Sequence, residues 1–142
     1  MLRGQEVRIS RLISAVACFA CVVKCGRSIE SSDLPGVYEV VYAYGVERIC
    51  VWPDGTYEQL FGKTRMGLER INRGTWSFSK LNGGQLELTD PVIVDDGFGR
   101  FSGLKRETDA IWPLRVRRGF SGEIFFPVND DQGTSFRHIK QE

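Results

Sequence analysis

The clearest structural signal in the chain is residues 46–61, which read VERICVWPDGTYEQLF. At its centre, the tetrapeptide Trp52–Gly55 combines a proline that presets its own φ angle, an aspartate that suits the third turn position and a glycine that accepts a positive φ. This order of residues predicts a type I turn that closes a bulged hairpin. The flanking runs, Val46–Trp52 and Thr56–Phe61, are therefore predicted to be paired antiparallel strands.

The same pattern continues on both sides of this hairpin. Short runs rich in Val, Ile, Tyr, Phe, Trp and Thr are separated by Gly, Asn and Asp at intervals of about ten residues, which predicts seven to nine antiparallel strands. Residues 90–106 look irregular, and a loop of that size is often functional or mobile. Outside the hairpin, the predicted strands are Gly36–Tyr44, Arg73–Ser79, Gln85–Thr89, Ala110–Arg117, Phe120–Val128 and Thr134–Ile139.

No convincing helix interrupts this series of strands and short turns. Such a series favours a mainly β fold, a single antiparallel up-and-down barrel or half-rolled meander, because closure of the sheet removes its exposed edges. A two-sheet β-sandwich is the alternative. The chain thus divides into a signal segment at residues 1–25, a short linker at 26–33 and one antiparallel β domain at 34–142.

The segment 1–25 has the layout of a secretory signal. Three arginines in the first 11 residues precede the uncharged and mostly apolar run Leu12–Val23, which Lys24 ends. This run of 12 residues is shorter than the roughly 20 that a membrane-spanning helix needs. A basic segment before a short apolar one is typical of export signals. We therefore expect an exported protein of the periplasm, outer membrane or cell surface, and a buried amphipathic helix is the alternative.

Three of the four cysteines, Cys18, Cys21 and Cys25, lie in or just after this run. In bacterial lipoprotein signals a small residue precedes a cysteine that is lipidated and becomes the mature N-terminus. Alanine precedes Cys18 and Cys21, whereas Cys25 follows an apolar run of better length but is preceded by Lys24, so all three are candidate lipidation sites and none meets every requirement. Cleavage at a nearby alanine and retention as a short anchor are the alternatives. Lipidation at Cys21 would leave Cys25 and Cys50 able to form a disulfide in an oxidising compartment, whereas lipidation at Cys25 would leave Cys50 a lone thiol.

The charge balance argues against polyanionic partners. The 19 basic and 18 acidic residues give a formal charge of +1, and removing residues 1–24 takes away four bases and one acid. The 15 basic and 17 acidic residues that are left make the mature chain slightly negative, which opposes binding to nucleic acids and to anionic membranes. We therefore predict no nucleic-acid partner, and membrane contact only through the N-terminal segment if it is lipidated or uncleaved.

Six short motifs give the chain a family resemblance. In chain order they are Leu34–Tyr38, Glu47–Ile49, Pro53–Tyr57, Gly74–Trp76, Asp95–Phe98 and Trp112–Leu114. Their order and spacing resemble those of the small lipocalin-like β-barrel proteins that recur among exported bacterial proteins of unknown function, over most of residues 34–128. The resemblance implies a barrel scaffold with no assigned reaction, and it transfers no functional residue.

The sequence offers little for catalysis or metal binding. A catalytic triad needs a base beside its nucleophile, but His138 is the only histidine and is predicted to be exposed on an edge strand near the C-terminus. The pairs Asp95–Asp96 and Asp130–Asp131 adjoin glycines and are predicted to form turns, with calcium binding as the alternative. We therefore predict a non-enzymatic protein without catalytic residues, cofactor or metal.

Basic and aromatic residues are the remaining candidates for binding. The densest basic cluster is Arg115, Arg117 and Arg118 with Lys105 and Arg106 upstream, predicted to be a solvated outer face, and contact with an anion or lipid headgroup is the alternative. Small barrels either fill their interior with side chains or enclose one ligand, so Trp76, Phe78 and Trp112 are candidate ligand contacts and core packing is the alternative. The predicted function is a binding or interaction module with an unknown protein partner; a lipocalin-like carrier of a small apolar ligand is the alternative.

Overall fold

The regular structure of the protein is almost entirely antiparallel strand. A computed structural model describes residues 27–140, where the helical elements are three short 3-10 turns, Ser31–Asp33, Arg65–Gly67 and Leu81–Gly83. The predicted signal segment and its candidate lipidation sites Cys18, Cys21 and Cys25 lie outside the described residues. The strands are β1 (Gly36–Tyr42), β2 (Gly45–Val51), β3 (Thr56–Gly62), β4 (Glu69–Ser79), β5 (Gln85–Thr89), β6 (Val92–Asp95), β7 (Phe101–Arg106), β8 (Ile111–Arg115), β9 (Arg117–Arg118), β10 (Ile124–Asn129) and β11 (Thr134–Ile139).

Nine of these strands form one sheet, in the order β8-β5-β4-β3-β2-β1-β11-β10-β9. The two end strands of the sheet are consecutive in the chain, because β8 ends at Arg115 and β9 begins at Arg117. Only Val116 lies between them, and its amide donates to the Gly84 carbonyl at 3.0 Å. The sheet is therefore nearly closed into a barrel. This confirms the predicted mainly β meander rather than the two-sheet sandwich.

The hairpin predicted from residues 46–61 is confirmed. The amide of Trp52 donates to the Thr56 carbonyl at 2.9 Å, and that of Gly55 donates to the Trp52 carbonyl at 3.2 Å. Gly55 has a φ of +85°, a conformation that glycine adopts without steric cost. Asp54 Oδ1 accepts from the amide and the hydroxyl of Thr56 at 2.9 and 2.6 Å, which fixes the turn from inside.

Alternation along the strands sorts the side chains into an interior and an outer face. Directly opposed residues such as Tyr38 of β1 and Ile49 of β2 share the interior face, and both are fully buried. Burial of this apolar surface is the main favourable contribution to folding. The buried core consists of Leu34, Tyr38, Val40, Ile49, Val51, Tyr57, Leu86, Leu88, Leu114, Val116, Ile124, Phe126 and Phe136.

Several segments differ from the sequence-based expectation. The strand predicted at Arg73–Ser79 begins at Glu69, and the strand predicted at Ala110–Arg117 is divided at Val116 into β8 and β9. Residues 90–106, expected to be irregular, contain the hairpin of β6 and β7, in which Val92 and Val94 are buried. A four-residue strand is too short for alternation to stand out. The predicted strand Phe120–Val128 begins only at Ile124, because residues 119–123 form a turn closed by the Gly119 amide and the Glu123 carbonyl at 2.8 Å. The described chain therefore has eleven strands, more than the seven to nine expected.

The turns of this antiparallel sheet lie at two opposite ends of the barrel, because successive strands run in opposite directions. We call the end where the described chain begins the N-terminal end; it carries the turns at residues 52–55, 80–84 and 119–123. The opposite end, the distal end, carries the β1–β2 and β10–β11 turns, the 63–68 loop and the tip of the β6–β7 hairpin. Asn129 Nδ2 donates to the Gly97 carbonyl at 3.3 Å and so joins that tip to the β10–β11 turn.

Part of the predicted linker at residues 26–33 belongs to the barrel. Ile29 is half-buried against the core, and the hydroxyl of buried Tyr38 donates to the Leu34 carbonyl at 2.8 Å. Two ion pairs hold the segment on either side: Glu30 with Lys80 at 3.0 Å, and Asp33 with Arg118 at 3.3 Å. These contacts place residues 29–34 across the N-terminal end, between the turns at 80–84 and 119–123.

Candidate functional site

The three candidate ligand contacts lie together on the interior face. Trp76 of β4 is opposite Leu88 of β5, which is opposite Trp112 of β8. We call Trp76, Leu88 and Trp112 the indole row. Leu88 is fully buried, whereas both indoles that flank it are only partly buried. Phe78 lies in the neighbouring row, opposite Leu86, and packs against the same core.

Each indole of the row is fixed by contacts with other parts of the barrel. Trp76 Nε1 donates to the Trp52 carbonyl at 2.8 Å, which ties β4 to the turn after β2. The ring of Trp112 meets Phe136 of β11 edge to face, with 6.1 Å between the ring centroids. Edge-to-face contacts of this kind add to the stability gained from burial. The indole row is therefore a fixed aromatic surface rather than a set of loose side chains.

A second group of interior residues, which the sequence analysis missed, is polar. Glu47, Tyr57, Gln59 and Asn72 are buried on β2, β3 and β4, and we call them the polar layer. A signal was present in the sequence, because Glu47 stands two residues before Ile49 and Gln59 stands two residues after Tyr57. Strand alternation puts each on the core face, but charged and amide side chains are usually exposed.

The polar layer binds the backbone of residues 89–92, which connect the end of β5 to the start of β6. We call these residues the crossing segment. Each of its four carbonyls accepts a hydrogen bond, and three of the donors belong to the polar layer. The bonds are Tyr57 Oη to Thr89 at 2.8 Å, Asn72 Nδ2 to Asp90 at 2.9 Å, Gln59 Nε2 to Val92 at 2.7 Å and the Glu107 amide to Pro91 at 2.9 Å. The Val92 amide also donates to Gln59 Oε1 at 3.1 Å. The layer therefore satisfies backbone groups that no strand partner reaches.

The approach of Tyr57 to the crossing segment depends on a glycine. A Cβ atom at Gly74 would lie 2.7 Å from Cε1 of Tyr57 and 2.8 Å from the Thr89 carbonyl oxygen, both closer than real contacts allow. Burial raises the pKa of Tyr57 to about 12, so its hydroxyl stays a hydrogen-bond donor at neutral pH. The motif Gly74–Trp76 of the family resemblance thus has a packing reason in this barrel.

Glu47 is the titratable member of the polar layer. Its carboxylate accepts from Gln59 Nε2 at 2.6 Å and from Tyr42 Oη at 2.9 Å, and both donors are uncharged. Complete burial raises the pKa of Glu47 to about 7, against the opposing effect of these two hydrogen bonds, and the nearby charge of Asp95 raises it further. The carboxyl group therefore gains or loses its proton near neutral pH.

An aromatic cluster ties the β6–β7 hairpin to the distal end of the sheet. Tyr42 and Tyr44 stack at 5.0 Å, Tyr44 meets Phe101 at 5.6 Å, and Phe101 stacks on Phe61 at 5.4 Å. We call these four residues the distal aromatic cluster. The hydroxyl of Tyr44 donates to Asp95 Oδ2 at 2.7 Å. Because Phe101 is exposed, the cluster presents an aromatic surface to solvent at this end.

Both acidic pairs lie at turns, as the sequence predicts, but only the side chains of Asp95 and Asp96 hold the turn in which they lie. Asp95 Oδ1 accepts from the amides of Gly97 and Gly99 at 2.8 and 3.2 Å, while Asp96 Oδ1 accepts from Phe98 at 2.8 Å. Asn129 holds the turn that contains Asp130 and Asp131 in a similar way. Over residues 27–140 no group of three His, Cys, Asp or Glu side chains is placed to hold a metal ion. The same residues include no helix long and apolar enough to cross a bilayer.

The predicted basic cluster is divided among separate partners. Four of the five basic groups have their own acceptor, so these positive charges do not converge on one anion-binding point. The contacts are Arg117 with Asp130 at 3.7 Å, Arg118 with Asp33 at 3.3 Å, Lys105 with Glu107 at 2.8 Å and Arg106 Nη2 with Asn72 Oδ1 at 3.0 Å. Arg115 is exposed at the end of β8.

His138 and Cys50 do not take part in these groups. His138 is exposed, as predicted, but β11 lies between β1 and β10, so the prediction of an edge strand was wrong. Closure of the sheet brings the last strand beside the first. Cys50 is buried on β2 and has no disulfide partner among residues 27–140, and burial raises the pKa of its thiol. Cys25, with which Cys50 could form a disulfide if Cys21 were lipidated, lies outside the described residues.

The fold and interior define a class of protein, a small and nearly closed antiparallel β-barrel that contains an apolar core, an indole row and a polar layer. Comparison of the chain with protein-family models, with curated proteins and with solved structures yields no match. The strand order of the sheet confirms the barrel architecture that the family resemblance implied. No family is identified.

Proposed function

We propose that the chain is an exported, non-enzymatic binding domain of the lipocalin-like kind that its motifs resemble. The observation that supports this proposal is that the polar layer binds the backbone of the protein itself. Tyr57, Gln59 and Asn72 all bind the crossing segment, so these interior polar groups serve the fold. Two aromatic surfaces, the indole row and the distal aromatic cluster, are available for recognition, and aromatic side chains on a rigid frame are typical of binding sites.

Export is proposed from residues 1–25, with lipidation at Cys21, Cys25 or Cys18 or cleavage without a lipid. Cell fractionation and intact-mass measurement of the full chain produced in bacteria test this step. We expect the protein in the envelope fraction, with a mass that lacks the leader. If it is lipidated, one of the variants Cys18→Ala, Cys21→Ala and Cys25→Ala should lose the acyl mass.

A control variant in the leader makes the export experiment specific. Val16→Asp places a charge in the apolar run Leu12–Val23, so it should keep the protein in the cytosol with residues 1–142 intact. Recovery of the wild-type chain in the cytosol with Met1 still present would contradict the proposal of export.

A carrier of a small apolar ligand is the second candidate function. It is favoured by the indole row, because the indoles of Trp76 and Trp112 are partly accessible while Leu88 between them is fully buried. An apolar ligand would gain most from contact with these two rings, since aromatic side chains supply large apolar area in ligand sites. This candidate predicts one saturable site per chain.

The carrier function can be measured with the apolar dye N-phenyl-1-naphthylamine, whose fluorescence increases on binding. We expect saturable binding to the wild-type protein and an affinity about tenfold weaker for Trp112→Leu, which keeps the site apolar but removes one aromatic contact. Trp52→Phe is the matched control, because it keeps the backbone carbonyl that holds Trp76. Absence of saturable dye binding, or equal affinities for both variants, would rule out this candidate.

A further inference from the structure

Three large apolar side chains lie exposed in the turns of the N-terminal end. Trp52 begins the β2–β3 turn, Leu81 lies in the β4–β5 turn and Phe120 lies in the β9–β10 turn. Their exposed fractions are 36% for Trp52, 71% for Leu81 and essentially the whole side chain for Phe120. Apolar side chains at several tips of one end form a surface that water solvates poorly.

Contacts between the turns confirm that they belong to one face. Lys80, beside Leu81, pairs with Glu30, and Arg118, two residues before Phe120, pairs with Asp33. The indole nitrogen of Trp76 binds the Trp52 carbonyl and brings the third turn against β4. The tips therefore surround the segment through which the described chain enters the barrel.

The geometry of these turns does not require apolar residues. The β9–β10 turn is closed by the Gly122 amide, which donates to the Gly119 carbonyl at 3.0 Å, and Gly122 supplies the positive φ of +88°. Asn82 and Gly83 supply the positive φ angles of the β4–β5 turn. Since Phe120 and Leu81 provide neither the turn conformation nor core packing, their side chains are free to contact something outside the barrel.

We propose that the N-terminal end of the barrel lies on a lipid surface, with the side chains of Phe120, Leu81 and Trp52 entering its interfacial region. This inference depends on one alternative of the proposed function, that a lipid at Cys21, Cys25 or Cys18 holds the chain on a membrane. Only three residues separate Val23, the last of the apolar run, from Arg27, where the described chain begins at this end. A chain this short spans about 14 Å, so a leader or lipid held in the bilayer keeps these turns close to its surface.

The charges of this end favour a contact that is apolar rather than electrostatic. Arg27 and Lys80 lie there together with Asp54 and Glu123, so neither sign dominates. Binding that depends on buried apolar area needs no anionic lipid and is insensitive to salt, whereas electrostatic binding weakens as salt is added. A zwitterionic surface is therefore sufficient.

The test uses the chain as cells export it, vesicles of brominated phosphatidylcholine and the double variant Trp76→Phe/Trp112→Phe, in which Trp52 is the only tryptophan. We expect quenching and a blue shift of Trp52 emission that persist in high salt. In the same background Phe120→Ser or Leu81→Ser should lower the inserted population about tenfold. Vesicle flotation of chains with all three tryptophans repeats the comparison in case the double variant folds poorly.

Two variants at the opposite end are the matched controls. Met66→Ser and Phe98→Ser remove exposed apolar side chains of the distal end and should leave Trp52 quenching unchanged. Unquenched Trp52, or an equal effect of variants at both ends, would overturn the inference. Self-association of the purified protein that Phe120→Ser abolishes would also overturn it, because a second copy would then cover this end. A chain that stays in the cytosol but still inserts these turns into vesicles would refute the export proposal alone.

Discussion

Between pH 4.5 and about 7, the free energy of unfolding of the wild-type protein should fall by about 3 kcal/mol, and Glu47→Gln should remove most of that fall. The folded protein raises the pKa of Glu47 from 4.5 to about 7. In this window the folded state therefore keeps a proton that the unfolded chain releases, so that rising pH favours unfolding. The stabilisation is fully present below pH 4.5 and is lost as the pH approaches 7. Urea unfolding at a series of pH values measures it.

Glutamine at position 47 keeps the shape of a protonated glutamate: its Oε1 can accept from Gln59 Nε2, and its Nε2 can donate to Tyr42 Oη, as the O–H of the protonated acid would. Glu87→Gln on β5 is the control, since Glu87 accepts from Ser77 in an exposed pair, and the pH profile of this variant should match the wild type. Carboxyl groups with a lowered pKa, such as Asp54 and Asp96, lose their stabilising effect only as the pH falls below this window. A Glu47→Gln profile as steep as that of the wild type would refute the assignment.

Gln59→Leu should lower the free energy of unfolding by about 4 kcal/mol, because it leaves three buried polar groups without their partner. The amide of Gln59 serves the carboxylate of Glu47 and both backbone groups of Val92. Its loss should also release the β6–β7 hairpin before the rest of the barrel unfolds. Urea unfolding measures the first effect. Hydrogen exchange measures the second, as faster exchange at Val92 and Val94 than at core residues of β2.

The same substitution on the outer face separates the loss of these bonds from the loss of a glutamine in general. Gln85 alternates with buried Leu86 on β5 and so points away from the interior, and Gln85→Leu should change stability by less than about 1 kcal/mol. If Gln59→Leu lowers the free energy of unfolding no more than Gln85→Leu does, or if Val92 and Val94 keep their protection from exchange, the polar layer does not hold the hairpin.

Local signals were sufficient to predict the main series of strands. The turn at Trp52–Gly55 and the alternation on each side of it depend on neighbouring residues only, and the structure has both where the sequence indicates them. The face of Trp76 and Phe78 also follows from alternation, because side chains two residues apart lie on the same side of a strand. These features needed no knowledge of distant contacts.

The polar layer and the β6–β7 hairpin could not be predicted in this way, because both depend on contacts that are distant in sequence. Gln59 binds Val92, 33 residues further on, and Tyr57 binds Thr89, 32 residues further on. Without those partners, a glutamine on the core face and the irregular run at 90–106 look unrelated. The chain also changes strand partner at Val116, since β8 pairs with β5 and β9 pairs with β10. This change depends on closure of the sheet and cannot be predicted from neighbouring residues.

Placing the first and last strands side by side has a practical consequence for protein engineering. Val37 of β1 lies opposite Ile139 of β11, so the described chain starts and finishes at the same pole of the molecule. A reporter fused behind the last strand would crowd the surface that we assign to lipid. The 63–68 loop lies at the other pole, and a circular permutant opened there, with a linker joining residue 140 to residue 27, would keep every strand pairing while freeing that surface.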